Sequence, residues 1–201
     1  MNKKYIAEGL GAFLLTFSVL ATMLTQASFL VLPTALVAGL SLMALVFMFA
    51  RVSGGHFNPA VSIGLWSVGK LSKTDLPFYV LFQVAGAVLA KIAVSAFGSL
   101  NLPSAAGKDW MMFAAEVAGA TVFCMGIASV VYFKDGLSSS TAPFIVGLSL
   151  LLGLAVSVHL GAIGVLNPAV SVALNILSWP YLLGSVVGSV IGFNIYKYLA
   201  D

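Results

Sequence analysis

The sequence has very little charge. Only 7% of its 201 residues are Asp, Glu, Lys or Arg, and 61% are hydrophobic. A soluble domain carries roughly 25% charged residues. The mean hydropathy is +1.10. This composition excludes an ordinary soluble domain and indicates a protein that lies in a lipid bilayer.

The sequence also has a single cysteine and no recognisable set of catalytic residues. The single cysteine, Cys124, cannot form a disulfide within the chain, and we expect it to pack in the core. No nucleophile, base and orienting group come together, so we do not expect an enzyme. We likewise expect no cofactor, no metal site and no nucleic-acid partner.

What the sequence does contain is long apolar stretches. A helix needs about 20 mostly apolar residues to span the hydrocarbon. Six stretches qualify, at about residues 5–27, 33–50, 77–98, 110–133, 142–160 and 180–199. The first can also be interpreted as a signal peptide, but Glu8 interrupts its apolar run. We therefore predict one transmembrane channel domain over residues 1–201.

The basic residues predict how the chain is oriented, because they concentrate on the cytoplasmic side. With the N-terminus inside, seven of the nine lysines and arginines face the cytoplasm. They are Lys3, Lys4, Arg51, Lys70, Lys73, Lys134 and Lys197. Lys91 and Lys108 remain outside, with Lys91 extending toward the outer surface or lining a pore. We expect a multi-pass protein of the inner cell membrane with both termini cytoplasmic.

The chain contains an internal duplication. Three features recur at nearly the same offset. They are GLSL at 39–42 and 147–150, the glutamates Glu8 and Glu116, and NPAVS at 58–62 and 167–171, with offsets of 108, 108 and 109. We predict two halves, 1–100 and 109–201, each with three spans. Since three is odd, the second half is inverted, and a substrate path is expected at the midplane between the halves.

Each NPAVS motif predicts the start of a half-helix. The apolar stretch that follows it is only about ten residues long, half of what a span needs. Asn58 and Asn167 suit the N-cap, and Pro59 and Pro168 suit the first helical position. The non-helical segments before them must line a watery cavity, because unpaired backbone is not tolerated against lipid.

In inverted halves the two half-helix N-termini meet at the membrane centre. Each carries a partial positive charge, so the meeting point repels cations and hydronium ions and passes neutral molecules. The Asn58 and Asn167 amides offer N–H donors to a passing oxygen. A water bound to both would lose the orientation that proton hopping requires.

These motifs resemble those of the aquaporins, or major intrinsic proteins, over essentially the whole chain. The matching segments are SGGHFNPAVS, LNPAVS, AEGLGAF, AAEVAGA, FQVAGA and WPYLLG. The resemblance implies an all-α, right-handed bundle of six spans and two re-entrant half-helices, assembled as a homotetramer with one pore per subunit. It assigns the pore motifs to Asn58, Pro59, Ala60, Asn167, Pro168 and Ala169.

The chain departs from the family at the selectivity filter. Family members usually have Arg after the second NPA, and this chain has Val170. By register, the other filter positions are Ala38, Leu154 and Gly164. Counting back from the second motif selects Ala155 in place of Leu154. The resemblance therefore implies a wide, apolar filter without the second barrier to cations.

The solute is left open by these features. The leading hypothesis is a passive channel for water and other small neutral solutes. The alternative is a facilitator mainly for glycerol, urea, ammonia or hydrogen peroxide. Ser171 in place of the Asp of glycerol facilitators argues against glycerol, whereas Leu182, where water channels tend to have an aromatic residue, points the other way. An ion channel or a structural junction protein has less support.

Four titratable residues have two interpretations each. Glu8 and Glu116 form a proton relay or, as the resemblance implies, accept hydrogen bonds from the backbone before the half-helices. His56 is a pH sensor at the cytoplasmic mouth or a structural residue of its loop. His159 lines the outer mouth or lies at the membrane–water interface.

Three glycines of the last span recur every four residues. They are Gly184, Gly188 and Gly192. This spacing predicts a flat strip for close helix packing.

Overall fold

The computed structural model of the protein describes residues 2–24, 32–103, 110–132 and 141–201. These residues form eight α-helices: α1 (Lys3–Ala21), α2 (Thr34–Ser53), α3 (Pro59–Ser67), α4 (Leu76–Ser95), α5 (Trp110–Tyr132), α6 (Thr141–His159), α7 (Pro168–Ala173) and α8 (Trp179–Ala200). All but α3 and α7 are long and apolar enough to cross a membrane. The predicted fold class, six spans and two half-helices, is confirmed.

The first span ends earlier than predicted. It was expected to reach residue 27, but α1 stops at Ala21, and residues 25–27 lie outside the described part. The Thr22 hydroxyl bonds the Val19 carbonyl at 2.7 Å and the Thr34 hydroxyl at 2.8 Å. Leu24 then pairs with Leu100 in an isolated β-bridge. These contacts turn the chain out of the helix.

The second half-helix is also shorter than the predicted ten residues. It has six, and the first has nine. Asn175 adopts the left-handed conformation, with φ at 60°, and the Ile176 N–H bonds the Ser171 carbonyl at 2.9 Å. This pattern of a left-handed residue and a backward bond ends a helix.

Each half-helix packs against the other half of the chain. Within the halves, α1 lies on α4 and α5 lies on α8. Between them, α3 packs on α8 and α7 on α4, and α2 crosses α6. The two GLSL motifs meet at that crossing, because a Cβ on Gly147 would lie 2.6 Å from the Gly39 carbonyl oxygen. The halves are therefore interlocked.

The glycine strip of α8 allows α5 to approach closely. A Cβ on Gly184 would lie 2.8 Å from the Glu116 Cβ, and one on Gly192 would lie 2.6 Å from the Thr121 carbonyl oxygen. A Cβ on Gly188 would overlap the Val117 carbonyl oxygen. The strip is architectural, as the sequence predicts. On the same helix pair, Cys124 is free and buried, as expected.

Both chain ends lie on one face of the bundle, which we call the terminal face. There Lys4 pairs with Asp75 at 2.7 Å, and the hydrogen bond from its ammonium lowers the pKa of that carboxyl. Lys70 lies 4.8 Å from the ring centre of Tyr132, whose ring is 6.5 Å from that of Tyr196 in α8. The other end of the bundle is called the opposite face.

Glu8 is fully buried and fixes the segment before α3. One carboxylate oxygen accepts from the Ser53 hydroxyl at 2.6 Å and the His56 N–H at 3.0 Å. The other accepts from the Phe57 N–H and the Gln83 amide, both at 2.7 Å. Four donors satisfy this carboxylate inside the bundle, as a buried charge requires.

Glu116 does the same for the segment before α7. It accepts from the Ser157 hydroxyl at 2.9 Å, the Val165 N–H at 3.0 Å and the Leu166 N–H at 2.9 Å. Ser185 of α8 bonds the carbonyl of its own helix residue Tyr181. Among the described side chains, none adds a fourth bond of the kind that the Gln83 amide gives to Glu8.

We expect Gly188→Ala to destabilise the folded protein by about 1–3 kcal/mol, the usual cost of overpacking. The reason is that the new methyl group overlaps backbone of α5. The measurement is thermal unfolding of the detergent-solubilised protein. Gly9→Ala is the control, since its Cβ would lie 3.2 Å from the Phe82 carbonyl oxygen. An equal loss in both variants would contradict the packing argument.

Replacing either glutamate with Gln should lower the free energy of unfolding while the folded fraction keeps its permeability. An amide nitrogen cannot accept, so at least one buried N–H loses its partner, at about 1–3 kcal/mol. We expect the larger loss for Glu8→Gln because four donors depend on it. The control is Asp201→Asn, an exposed change. Lost transport at unchanged stability would instead assign the glutamates a direct role.

Candidate functional site

The two NPA motifs begin the two half-helices at one point in the bundle. Asn58 caps α3, with its Oδ1 accepting from the Ala60 N–H at 2.9 Å. Asn167 caps α7, with its Oδ1 accepting from the Ala169 N–H at 3.0 Å. The proline after each Asn occupies the first helical position. Both N-termini are thus formed as their sequence motifs predict.

Each Asn side chain also bonds the other half. The Asn58 Nδ2 donates to the Leu166 carbonyl at 2.8 Å, and the Asn167 Nδ2 donates to the Phe57 carbonyl at 3.1 Å. An amide nitrogen has two hydrogens. Among the described residues, neither Asn has an acceptor for its second hydrogen. Both side chains line a cavity, so these hydrogens are available to a molecule inside it.

The carbonyls that receive these bonds belong to residues in an unusual conformation. Phe57 and Leu166 have φ of 51° and 52°, a region that costs residues other than glycine free energy. Each N–H points to the glutamate of its own half, and each C=O to the Asn of the other half. Neither residue carries a sequence signal for this conformation, and sequence analysis missed it.

A cavity of about 460 Å³ extends from His56 past both Asn residues to the opposite face. Among the described residues, none of those lining it is Lys, Arg, Asp or Glu. Its polar side chains are Thr34, His56, Asn58, Asn101 and Asn167. The buried glutamates lie behind its wall. A charged solute would therefore meet no counter-charge along this path.

All four residues assigned to the filter line this cavity. They are Ala38, Leu154, Gly164 and Val170. Of the two candidates on α6, Leu154 lies in the wall, whereas Ala155 is not part of it. Gly164 has φ of 73°, and a Cβ there would lie 2.8 Å from the Val158 side chain. This stretch of the wall presents apolar side chains and no side-chain hydrogen-bond donor.

The opposite-face end of the cavity includes residues that the sequence did not indicate. Asn101, Leu102 and Pro103 line it. The Asn101 N–H bonds the Met23 carbonyl at 2.8 Å, which attaches this connection to the end of α1. A loop residue of this type carries no periodicity or motif, so no sequence signal could have found it.

His56 lies on the terminal-face side of the two Asn residues. Its ring is 5.0 Å from that of Tyr79, and its Nδ1 is 3.1 Å from the Ser62 hydroxyl. That hydroxyl also contacts the Gln83 amide at 2.9 Å. Sequence analysis missed Gln83, although a polar residue within an apolar span is a signal of function.

Two predicted residues lie away from the cavity. His159 is exposed, and its Nδ1 is 2.8 Å from the Ala155 carbonyl. It does not line the cavity. Lys91 reaches toward the opposite face and donates to the Asn175 side chain at 2.6 Å. It also lies outside the cavity wall. Lys108 and Lys134 fall outside the described residues.

Comparisons with known proteins agree with this geometry. The sequence model of the family described as major intrinsic protein matches residues 1–196. Aquaporin Z of Photorhabdus laumondii is 27% identical, over 99% of this chain and 98% of the relative. Glycerol uptake facilitator protein-like 6 of Lactiplantibacillus plantarum is 30% identical, over 94% of each chain.

A solved structure shows the same fold. The aquaglyceroporin of Plasmodium falciparum superimposes with a TM-score of 0.80 at 23% identity, over 99% of this chain and 98% of that one. The match covers every described helix of the bundle, half-helices included. The chain therefore belongs to the major intrinsic protein family of aquaporins and glycerol facilitators, membrane channels rather than enzymes, which carry water and small solutes across the bilayer.

Proposed function

We propose that this protein is a passive channel for water and other small neutral solutes, with a wide apolar filter. The observation that carries the proposal is the composition of the cavity wall. Both NPA asparagines, Asn58 and Asn167, lie in it together with the apolar filter side chains. No described Lys, Arg, Asp or Glu faces the cavity, so the solutes that fit are neutral.

The midplane supplies the barrier to ions in this proposal. The N-termini of α3 and α7 meet there, and the aligned peptide dipoles of each helix place partial positive charge at that end. Asn58 and Asn167 add two N–H donors. A cation would lose its hydration next to positive ends, whereas a neutral oxygen can accept from both side chains. Cation exclusion therefore rests on this one point, because Val170 adds no second charge.

A solute other than water is the second candidate. Ala38, Gly164 and Val170 give the proposed filter small side chains without charge. Similarity to a glycerol uptake facilitator supports the same candidate. Glycerol, urea, ammonia and hydrogen peroxide are the neutral solutes to compare.

Stopped-flow light scattering on proteoliposomes tests the proposal. Gradients of water, glycerol and urea give the permeability for each solute in one preparation. Empty liposomes made from the same lipids provide the baseline. We expect water flux above this baseline and measurable flux of at least one larger solute. Fluxes equal to those of empty liposomes would contradict the proposal.

The remaining expectations extend the same proposal. The terminal face is cytoplasmic, since Lys4, Lys70 and Lys197 lie near it, and the membrane is the inner cell membrane.

Residues 1–201 form one channel domain of two inverted halves, 1–100 and 109–201. Matching contacts at Glu8 and Glu116 support the halves. Four copies form the homotetramer, each with its own pore.

Replacing Asn58 or Asn167 with Asp should admit monovalent cations. Asp removes an N–H donor and places negative charge beside the two positive helix ends. A sodium flux assay or electrophysiology measures the change. Asn194→Asp is the matched control, because Asn194 is exposed on α8 and bonds Ser67. Unchanged cation flux in both Asp variants would count against the midplane barrier.

Val170→Arg should retain measurable water permeability and lose most of the flux of larger solutes. Arginine adds a rigid, always charged fork of donors to an apolar wall. The measurement is the ratio of solute to water permeability in matched proteoliposomes. Val170→Leu adds bulk without charge and separates size from electrostatics. If the wild type passes water alone and the ratio does not move, the constriction lies elsewhere.

A further inference from the structure

The Gln83 side chain connects Glu8 to the loop that lines the cavity. Its Nε2 donates to the Glu8 Oε2 at 2.7 Å and to the Ser62 hydroxyl at 2.9 Å. The reverse orientation of the amide would put its oxygen against the carboxylate, which is repulsive. Both Nε2 hydrogens are therefore committed, while the Gln83 Oε1 has no partner among the described residues.

This orientation decides the role of the Ser62 hydroxyl. Since Nε2 carries only hydrogens, the Ser62 oxygen accepts from Gln83 and has its own hydrogen left to donate. Among the described residues, the one acceptor it contacts is the His56 Nδ1 at 3.1 Å. Ser62 is fully buried, so its hydroxyl hydrogen needs this acceptor. The Nδ1 therefore bears no hydrogen, and a neutral His56 carries its hydrogen on Nε2.

The hydrogen on Nε2 faces the cavity. His56 lines the cavity, and no group in the described part of the chain bonds its Nε2, which is also not among the buried polar atoms without a partner. That nitrogen thus has accessible surface. The titratable groups around the ring are Tyr79, which packs against it, and Glu8, which accepts from the His56 backbone N–H and from Gln83.

We infer that Ser62, oriented by Gln83, is a positioning residue that fixes His56 as its Nε2–H tautomer, giving the channel an N–H donor on the terminal-face side of Asn58 in addition to the NPA asparagines. This inference rests on the proposed function, because the cavity is taken as the solute path. An oxygen leaving the midplane toward this face meets an N–H. In the other tautomer it would meet a bare nitrogen, which can only accept.

The described part of the second half contains no matching relay. Ser171 corresponds to Ser62, but its hydroxyl donates to the Ile176 carbonyl. Val165 corresponds to His56 at the offset of 109, and it has no donor side chain. Among the described residues, this relay therefore lies on one side of the midplane.

Solid-state NMR on protein labelled with ¹⁵N-histidine and reconstituted in lipid tests the inference. The sequence has two histidines, so His159→Gln assigns the His56 signals by elimination. At neutral pH we expect a protonated Nε2 and an unprotonated Nδ1 for His56, with no detectable second tautomer. A protonated Nδ1, or a charged ring, would overturn the inference without any further variant.

Ser62→Ala tests whether the hydroxyl is the cause. Alanine removes the donor to Nδ1, so nothing then requires that nitrogen to be an acceptor. We expect signal from the Nδ1–H tautomer to appear in this variant. Ser171→Ala, the matched change in the second motif, should leave the His56 spectrum unchanged. An unchanged spectrum in Ser62→Ala would show that the Ser62 hydroxyl does not set the tautomer.

Solute flux through the same preparation separates this inference from the proposed function. The spectrum reports the hydrogen on His56 whether or not any solute moves. Liposomes that conduct nothing above baseline, with the expected spectrum, would contradict the channel proposal alone. Liposomes that conduct normally, with a protonated Nδ1, would contradict the role of Ser62 alone.

Discussion

Two residues, Phe57 and Leu166, are each held by hydrogen bonds at both their N–H and their C=O, and the rest of the structure is arranged around them. Their N–H groups bond buried glutamates, and their carbonyls bond asparagines from the opposite half. Non-helical backbone at this depth of a bilayer is tolerated only where it is buried in protein or lines a water-filled cavity. The packing of the six spans therefore holds four side chains against the two residues with positive φ. These side chains are Glu8, Glu116, Asn58 and Asn167.

The proposed filter is separate from this scaffold. Ala38, Leu154 and Val170 face the cavity from helices whose other sides do the packing, and the described residues show no hydrogen bond from their side chains. The asparagines and glutamates, in contrast, each carry several bonds. In the proposed channel, a change at Val170 would therefore alter the wall with little effect on the fold.

Strong patterns in the sequence predicted much of this structure. The length of the apolar stretches predicted the membrane-spanning helices, and the repeated Asn-Pro predicted the starts of both half-helices. Both features depend on local chemistry. The end of α1 could not be predicted, since it depends on Thr34 and Leu100, which are distant in sequence. The conformation of Phe57 depends on bonds from Glu8 and Asn167. Contacts between residues distant in sequence produce no periodic pattern in the sequence. The position of Asn101 in the cavity wall could not be predicted for the same reason.

The reciprocal bonds of Asn58 and Asn167 also limit how the channel can be regulated. Each half-helix is tied to the backbone that leads into the other, so neither can withdraw without breaking both ties and exposing the glutamate sites behind them. A regulatory change that keeps these bonds would therefore have to act on other parts of the cavity wall.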